Sequence, residues 1–369
     1  MKTDLQIVEA KVAAGERLTR QDGLALFGAP DLLAVAALAD RVRQRKHGLR
    51  ACYCINTHVN YTNRCVNECG LCAFWAGADD ARGYLMTAEG IIERVRPDVE
   101  AGATEVHIVG GLHPDVSLAY YAEMIGRLRA AFPEVCIQAM TAVEVAYAAR
   151  KAGVAVAEAL RQLRRAGLTA LPGGGAEIFD PEIRRRICPR KISGQDWLDV
   201  HRQAHRLGIP TNATMLYGHI ESAANRVDHL LSLRQLQDET GGFAAFIPLA
   251  FHPEGTHMAD LSGPTACDDL RTIAVSRLIL DNVPHVKAFW IMLTPDVAQV
   301  ALRFGADDLD GTVMREEITH AAGARTPQGL TAADLEHLIR AAGCEPQERD
   351  TLYRPVRRGS AECGARSAE

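Results

Sequence analysis

Between residue 51 and the last quarter of the chain, short apolar runs alternate with amphipathic stretches, and no other feature limits the fold as tightly. The runs at 51–59, 105–110, 135–140, 168–173, 211–217, 244–251 and 286–293 read as strands, with a weaker one near 308–312. The stretches at 88–101, 118–132, 143–165, 194–207, 223–240, 266–281 and 296–304 repeat apolar residues every three or four positions, as helices do. Such alternation means β-α units with parallel pairing. Seven or eight units close most naturally into a (β/α) TIM-type barrel, an α/β fold spanning residues 51–355. The alternative is a doubly wound open sheet, but no G-x-G-x-x-G follows the first strand, which weighs against its dinucleotide-binding form. Residues 1–50 read as an N-terminal helical extension, 332–342 as a C-terminal helix on the outside of the barrel, and 356–369 as a small polar tail that frays.

The 41 basic and 46 acidic residues leave a net charge of −5, which points to neither nucleic acid nor an anionic membrane. No run approaches the roughly 18 apolar residues of a membrane span. The stretch from Asp31 to Asp40 is apolar but bounded by carboxylates and reads as a packed helix. The N-terminus lacks the charged start and apolar core of a signal peptide, so a cytoplasmic protein is expected. In that setting ten cysteines are not expected to pair; a cluster among them indicates metal binding or chemistry. Cys52, Cys54, Cys136, Cys188, Cys267, Cys344 and Cys363 are scattered, and most of them read as small buried or partly buried thiols.

The other three, Cys65, Cys69 and Cys72, fall within eight residues, directly after the first expected strand. In a parallel barrel the loops after strands line the active face. A structural zinc site wants four protein ligands; the nearest fourth is His58, back on the strand. A [4Fe–4S] cluster takes one thiolate per iron, so three cysteines leave one iron open to a substrate.

The C-x₃-C-x₂-C spacing resembles the signature of the radical S-adenosylmethionine (SAM) superfamily. That resemblance implies one [4Fe–4S] cluster held by Cys65, Cys69 and Cys72, with SAM as co-substrate on the open iron. It implies reductive cleavage of SAM to methionine and a 5′-deoxyadenosyl radical, driven by a one-electron donor such as flavodoxin or ferredoxin. Leu71 departs from the aromatic residue often found before the last cysteine; Phe74 and Trp75 follow instead.

Further motifs end later strands. Gly110 and Gly111 let the backbone approach a ligand closely, or form a tight turn, and resemble the superfamily's glycine motif for the methionine amino group. In Pro172-Gly-Gly-Gly175-Ala-Glu177, Gly174 and Gly175 are read as shaped around a ligand, with a flexible turn as the alternative, and Glu177 as meeting the cationic part of the co-substrate. Leu216 and Gly218 partly resemble an adenine-contacting motif, while His219 is either a contact or a satisfied structural histidine. His252 and Glu254 form a polar rim between prolines; Asp310 and Glu316-Glu317 either serve the site or cap helices.

Asn60-Tyr-Thr-Asn63, the Pro-Gly-Gly-Gly-Ala-Glu-Ile string, Phe246-Ile-Pro-Leu-Ala-Phe251 and the segment 288–312 are together most similar to the aminofutalosine synthase family of menaquinone biosynthesis. The resemblance implies addition of the 5′-deoxyadenosyl radical to 3-[(1-carboxyvinyl)oxy]benzoate, rearrangement, and loss of bicarbonate to give 6-amino-6-deoxyfutalosine. A dianionic substrate calls for cationic or amide donors, for which Arg190, Lys191, His252 and Arg315 are candidates. The rivals are the sister cyclic dehypoxanthine futalosine synthase, the deazaflavin cofactor synthases and, in another class, a non-catalytic metal-binding protein.

Overall fold

The computed structural model describes residues 4–358. The first apolar run becomes two strands on one path, β1 (Arg50–Cys54) and β2 (Asn56–Val59). They are followed by β3 (Glu105–Ile108), β4 (Cys136–Ala139), β5 (Thr211–Tyr217), β6 (Phe243–Ala250), β7 (His285–Val286), β8 (Asp308–Gly311) and β9 (Glu345–Glu348). Parallel pairing runs β2-β3-β4 and β5-β6-β7, and β8 pairs with β1. Isolated parallel bridges complete the ring: Gln138 to Ala170, Leu171 to Thr211, and Lys287 to Asp308. The sheet therefore closes, as a TIM-type barrel does and an open sheet does not. β9 pairs with β1 as an additional strand that the sequence reading did not include.

Three expected elements change. The run at 168–173 supplies only those two bridges, because Pro172 has no N–H to donate and glycines follow it. The run at 286–293 is a strand over two residues only; Trp290–Leu293 is a helical turn. An apolar run this short does not distinguish a strand from a buried helical turn. Here Trp290 is fully buried, and its Nε1–H donates to Gly311 O at 2.8 Å. The stretch 143–165 is two helices, Ala142–Ala152 and Val156–Ala166, divided at Gly153, whose positive φ of 66° ends the first. Short helices at Pro181–Ile187 and Ile318–Ala321 were not anticipated.

The N-terminal residues form helices Asp4–Ala14, Arg20–Gly28 and Leu32–His47. They lie against the outer helices Ala223–Thr240 and Ala266–Ile279, tied by Arg20 to Asp228 and by Arg271 to the carbonyl of Ala29. Leu26, Val35 and Ala39 share one apolar core with the barrel. Helix Ala332–Ala341 covers the foot of β1, where Glu336 accepts from the Tyr53 hydroxyl at 2.6 Å. No helix among the described residues is long and apolar enough to cross a membrane. Of the tail expected to fray, residues 359–369 lie outside the described residues.

Candidate active site

The C-terminal ends of the barrel strands open into one cavity of about 330 Å³. Strand periodicity sets its wall, since every second residue faces inward. His58 and Asn60, His107 and Val109, Asn212, Thr214 and Leu216, and Ile247 and Leu249 all line it.

The cysteine loop roofs this wall. Asn63 fixes its course: its side chain donates to Arg82 O at 3.0 Å and accepts from Tyr84 N at 3.0 Å. Backbone bonds pin the rest, from Val66 N to Leu112 O and from Gly70 N to Ile187 O, each 3.1 Å. Cys65, Cys69 and Cys72 are free thiols, and all three line the cavity with Leu71, Phe74 and Trp75. Burial pushes the Cys69 thiol up to about 12, against the pull of nearby Lys191. Burial raises Cys72 too, while the backbone N–H groups of Phe74 and Trp75 favour its thiolate. Cys188 is buried nearby but does not line the cavity. The other described cysteines are likewise free, and Cys363 lies outside the described residues.

The glycine motifs are where the wall is tightest. A Cβ on Gly111 would lie 2.3 Å from Arg64 O, and one on Gly110 2.7 Å from the Tyr61 ring. Gly110 N–H donates to Glu144 and Gly111 N–H to Thr62 O. These two glycines therefore seat the cysteine loop while lining the cavity. Gly174 and Gly175 also line it; Gly175 has a φ of +84° and closes onto Val143. Glu177, itself at φ +48°, is buried and holds Lys191 Nζ at 2.5 Å. Burial opposes its charge, but Lys191, Arg184 and His219 bring its carboxyl below the usual range.

The remaining predicted residues divide. Leu216, His252 and Asp310 line the cavity, His252 with Nε2 3.0 Å from Met292 O. Gly218 does not; it turns the chain at the end of β5 with φ +88° against Pro264. His219 is held by Glu221 at 2.9 Å, with Arg226 on the same carboxylate, which is the structural alternative for that histidine. Arg190 is exposed and paired with Glu68, Arg315 with Asp98, and Glu254 faces Arg325. None of these three lines the cavity.

Sequence reasoning missed Glu144 and the stacked His58–His107 pair, all three of which line the cavity. Glu144 accepts from the Tyr61 hydroxyl at 2.9 Å and from the N-cap residue Thr141, and burial pushes it up to about 7. The capping box Thr141-x-x-Glu144 was a visible signal for a helix start, though not for a cavity residue.

Comparison with known proteins finds matches along most of the chain. Residues 59–233 match the family described as the radical SAM superfamily, and residues 240–361 match the CofH/MqnC C-terminal region. The chain is 46% identical over 354 residues to aminodeoxyfutalosine synthase of Thermus thermophilus, covering 95% of each chain. It is 40% identical over 346 residues to a 5-amino-6-(D-ribitylamino)uracil–L-tyrosine 4-hydroxyphenyl transferase of Methanosarcina barkeri, covering 92% and 91%. The fold is similar to that of methylornithine synthase, with a TM-score of 0.73 at 18% identity, over 92% of this chain and 97% of that one.

Proposed function

Because this chain belongs to the radical SAM superfamily, in the branch that carries the CofH/MqnC C-terminal region, and is an enzyme of that family, we propose that it is an aminodeoxyfutalosine synthase of menaquinone biosynthesis. Its substrates in this reading are SAM, 3-[(1-carboxyvinyl)oxy]benzoate and one water, which the lost carboxylate takes up to leave as bicarbonate, and its other products are 6-amino-6-deoxyfutalosine and methionine. The observation that carries it is the 46% identity to such a synthase over 95% of both chains, against 40% to the tyrosine-using transferase.

The donor set suits the superfamily's cluster. Three free thiols face the cavity from one short loop, with no fourth cysteine among the described residues of its wall, so Cys65, Cys69 and Cys72 would hold three irons. When bound and reduced by a donor such as flavodoxin or ferredoxin, the cluster supplies the electron that cleaves SAM and releases the adenosyl radical. Gly110 and Gly111 seat the thiol loop, and the Glu177–Lys191 pair supplies charge beside it. Ile247, Leu249, Phe251, Phe289 and Met292 make the opposite wall apolar, which keeps water and hydrogen donors from a carbon radical.

The test is anaerobic turnover of cluster-loaded, reduced enzyme with SAM and the vinyl ether, with products identified by mass spectrometry. The expected product carries both the adenosyl group and the aryl carboxylate. Free 5′-deoxyadenosine with the benzoate untouched overturns the assignment. Turnover of dehypoxanthine futalosine instead would identify the cyclase, and turnover of L-tyrosine with 5-amino-6-(D-ribitylamino)uracil the transferase.

A further inference from the structure

Below the cysteine loop the barrel wall carries two imidazoles that the reaction as described so far does not use. His58 on β2 is the register partner of His107 on β3, and their rings stack with centroids 4.5 Å apart and planes 14° from parallel. Both line the cavity. His107 is anchored, its Nδ1 2.9 Å from Oε1 of Gln138, its own partner on β4. An amide oxygen only accepts, so the proton sits on His107 Nδ1. His58 Nε2 has no such anchor: it is buried and makes no hydrogen bond. Buried polar atoms without a partner are uncommon and ask for one.

The charges acting on His58 come from His107, Asp310 of β8, Glu316 just beyond it, and Lys287 at the end of β7. Asp310 is bound to Lys287 Nζ at 2.5 Å. Glu316 accepts from Thr319 N–H and lies 3.2 Å from His320 Nδ1. Each carboxylate thus has its own cation. Lys191, the cation nearer the thiols, is taken by Glu177. Among the described residues that line the cavity, His58 Nε2 is the buried side-chain nitrogen left without a hydrogen-bond partner.

We infer that His58 Nε2 binds the aryl carboxylate of the substrate and takes up a proton in doing so, with His107 as the positioning residue behind it. The inference rests on the proposed function, which is what brings an aryl carboxylate into this cavity. The vinyl carbon that receives the adenosyl group must face the cysteine loop, so the aryl carboxylate lies toward the opposite end. His58 stands two residues before Asn60 on the inward face of the same path, one layer farther from that loop. Without a ligand, burial and His107 keep His58 neutral, pushed down to about 3. A carboxylate at Nε2 reverses the balance, because opposite charge favours the protonated ring and the bond becomes charge-assisted. A carboxylate left unpaired in an apolar cavity would be strongly penalised.

Calorimetry on cluster-loaded, unreduced enzyme with SAM bound measures the affinity for the vinyl ether without turnover. Repeating it near neutral pH in buffers of different ionisation enthalpy counts the protons taken up. Wild type is expected to take up roughly one proton per substrate. His58→Gln should bind at least tenfold more weakly and take up none. Unchanged affinity and proton uptake in His58→Gln overturn the inference, even where wild type makes the expected product. Normal proton-linked binding without adenosylated product on reduction instead overturns the proposed function and leaves the carboxylate site standing. Should the variant fail to load its cluster, wild type alone decides: substrate binding without proton uptake, or no binding of either the vinyl ether or benzoate, overturns the site.

Discussion

Cys69 is the most enclosed of the three thiols in the roof loop, only 5% exposed, and burial makes its thiolate unfavourable unless positive charge compensates. Lys191 gives part of that compensation, and an iron–sulfur cluster would give the rest. Cys69→Ala removes a proposed ligand without disturbing a strand of the barrel. The expected result is loss of the cluster's visible absorbance and of SAM cleavage, with the circular dichroism of the fold retained. Cluster content and turnover equal to wild type would remove Cys69 from the ligand set. The same scale explains which polar residues the sequence could and could not point to. The cysteine spacing is chemistry written in order, so it was legible. Arg190 and Arg315 were reasonable partners for carboxylates by residue type, and Glu254 a reasonable rim residue beside His252, yet their side chains leave the cavity for Glu68, Asp98 and the neighbourhood of Arg325. The direction of a loop side chain depends on contacts with residues more than a hundred positions away in two of these three cases, as in Arg190–Glu68 and Arg315–Asp98, and periodicity carries no trace of them.

Among the elements, the loop after β3 decides how closely the roof sits. Gly111 meets backbone, Arg64 O, at 2.3 Å from an added Cβ, whereas Gly174 meets a methyl, Thr141 Cγ2, at 3.0 Å. A backbone oxygen inside the cysteine loop has nowhere to go, while a methyl shifts by tenths of an ångström. Gly111→Ala is therefore expected to destabilise by about 3 kcal/mol and Gly174→Ala by about 1 kcal/mol, within the range of overpacked sites. Denaturant unfolding of both variants checks the order, and cluster loading should fall in Gly111→Ala only. Equal losses would mean that the roof loop is free to move. Both glycine strings were recognisable as close approaches before the structure, but what approaches them was not. For Gly110 and Gly111 it is the thiol loop itself. Strand positions followed the apolar runs well where hydrogen-bonded neighbours exist on both sides, as in β5 and β6. They failed where Pro172 or the buried Trp290 imposed another local geometry. His58 and Asn60 show the limit of periodicity: alternate positions reveal a shared face, but only register shows that His58 meets His107.

The molecule as a whole buries an unusual mixture of groups held away from their ordinary ionisation, and together they set how its stability responds to pH. His58, His229 and His205 are pushed down to about 3, 3 and 4, and His201 well below its usual value, all chiefly by burial. A histidine with a depressed folded value contributes stability that is present above about 6.5 and is lost as pH falls, because the unfolded chain binds the proton first. Glu144 and Asp269 act in the opposite sense, since burial raises them to about 7 and about 6. They favour the folded state as pH falls from those values toward 4.5. These four histidines against two carboxyls leave the unfolded state binding about two more protons than the folded state near pH 5.5, and His47 and His113, also lowered by burial, add to that difference. Stability is therefore expected to rise from pH 5 toward 7. Above that range the sign changes through His320, raised to about 9 by Glu316, whose contribution is complete below about 6.5 and disappears as pH passes 9. Thermal midpoints of cluster-loaded enzyme at pH 5, 6, 7 and 9, with cluster absorbance followed at each, measure the curve. A midpoint at pH 5 equal to or above that at pH 7 would mean that these histidines become charged without opening the fold. The barrel interior would then be wetter than its packing indicates.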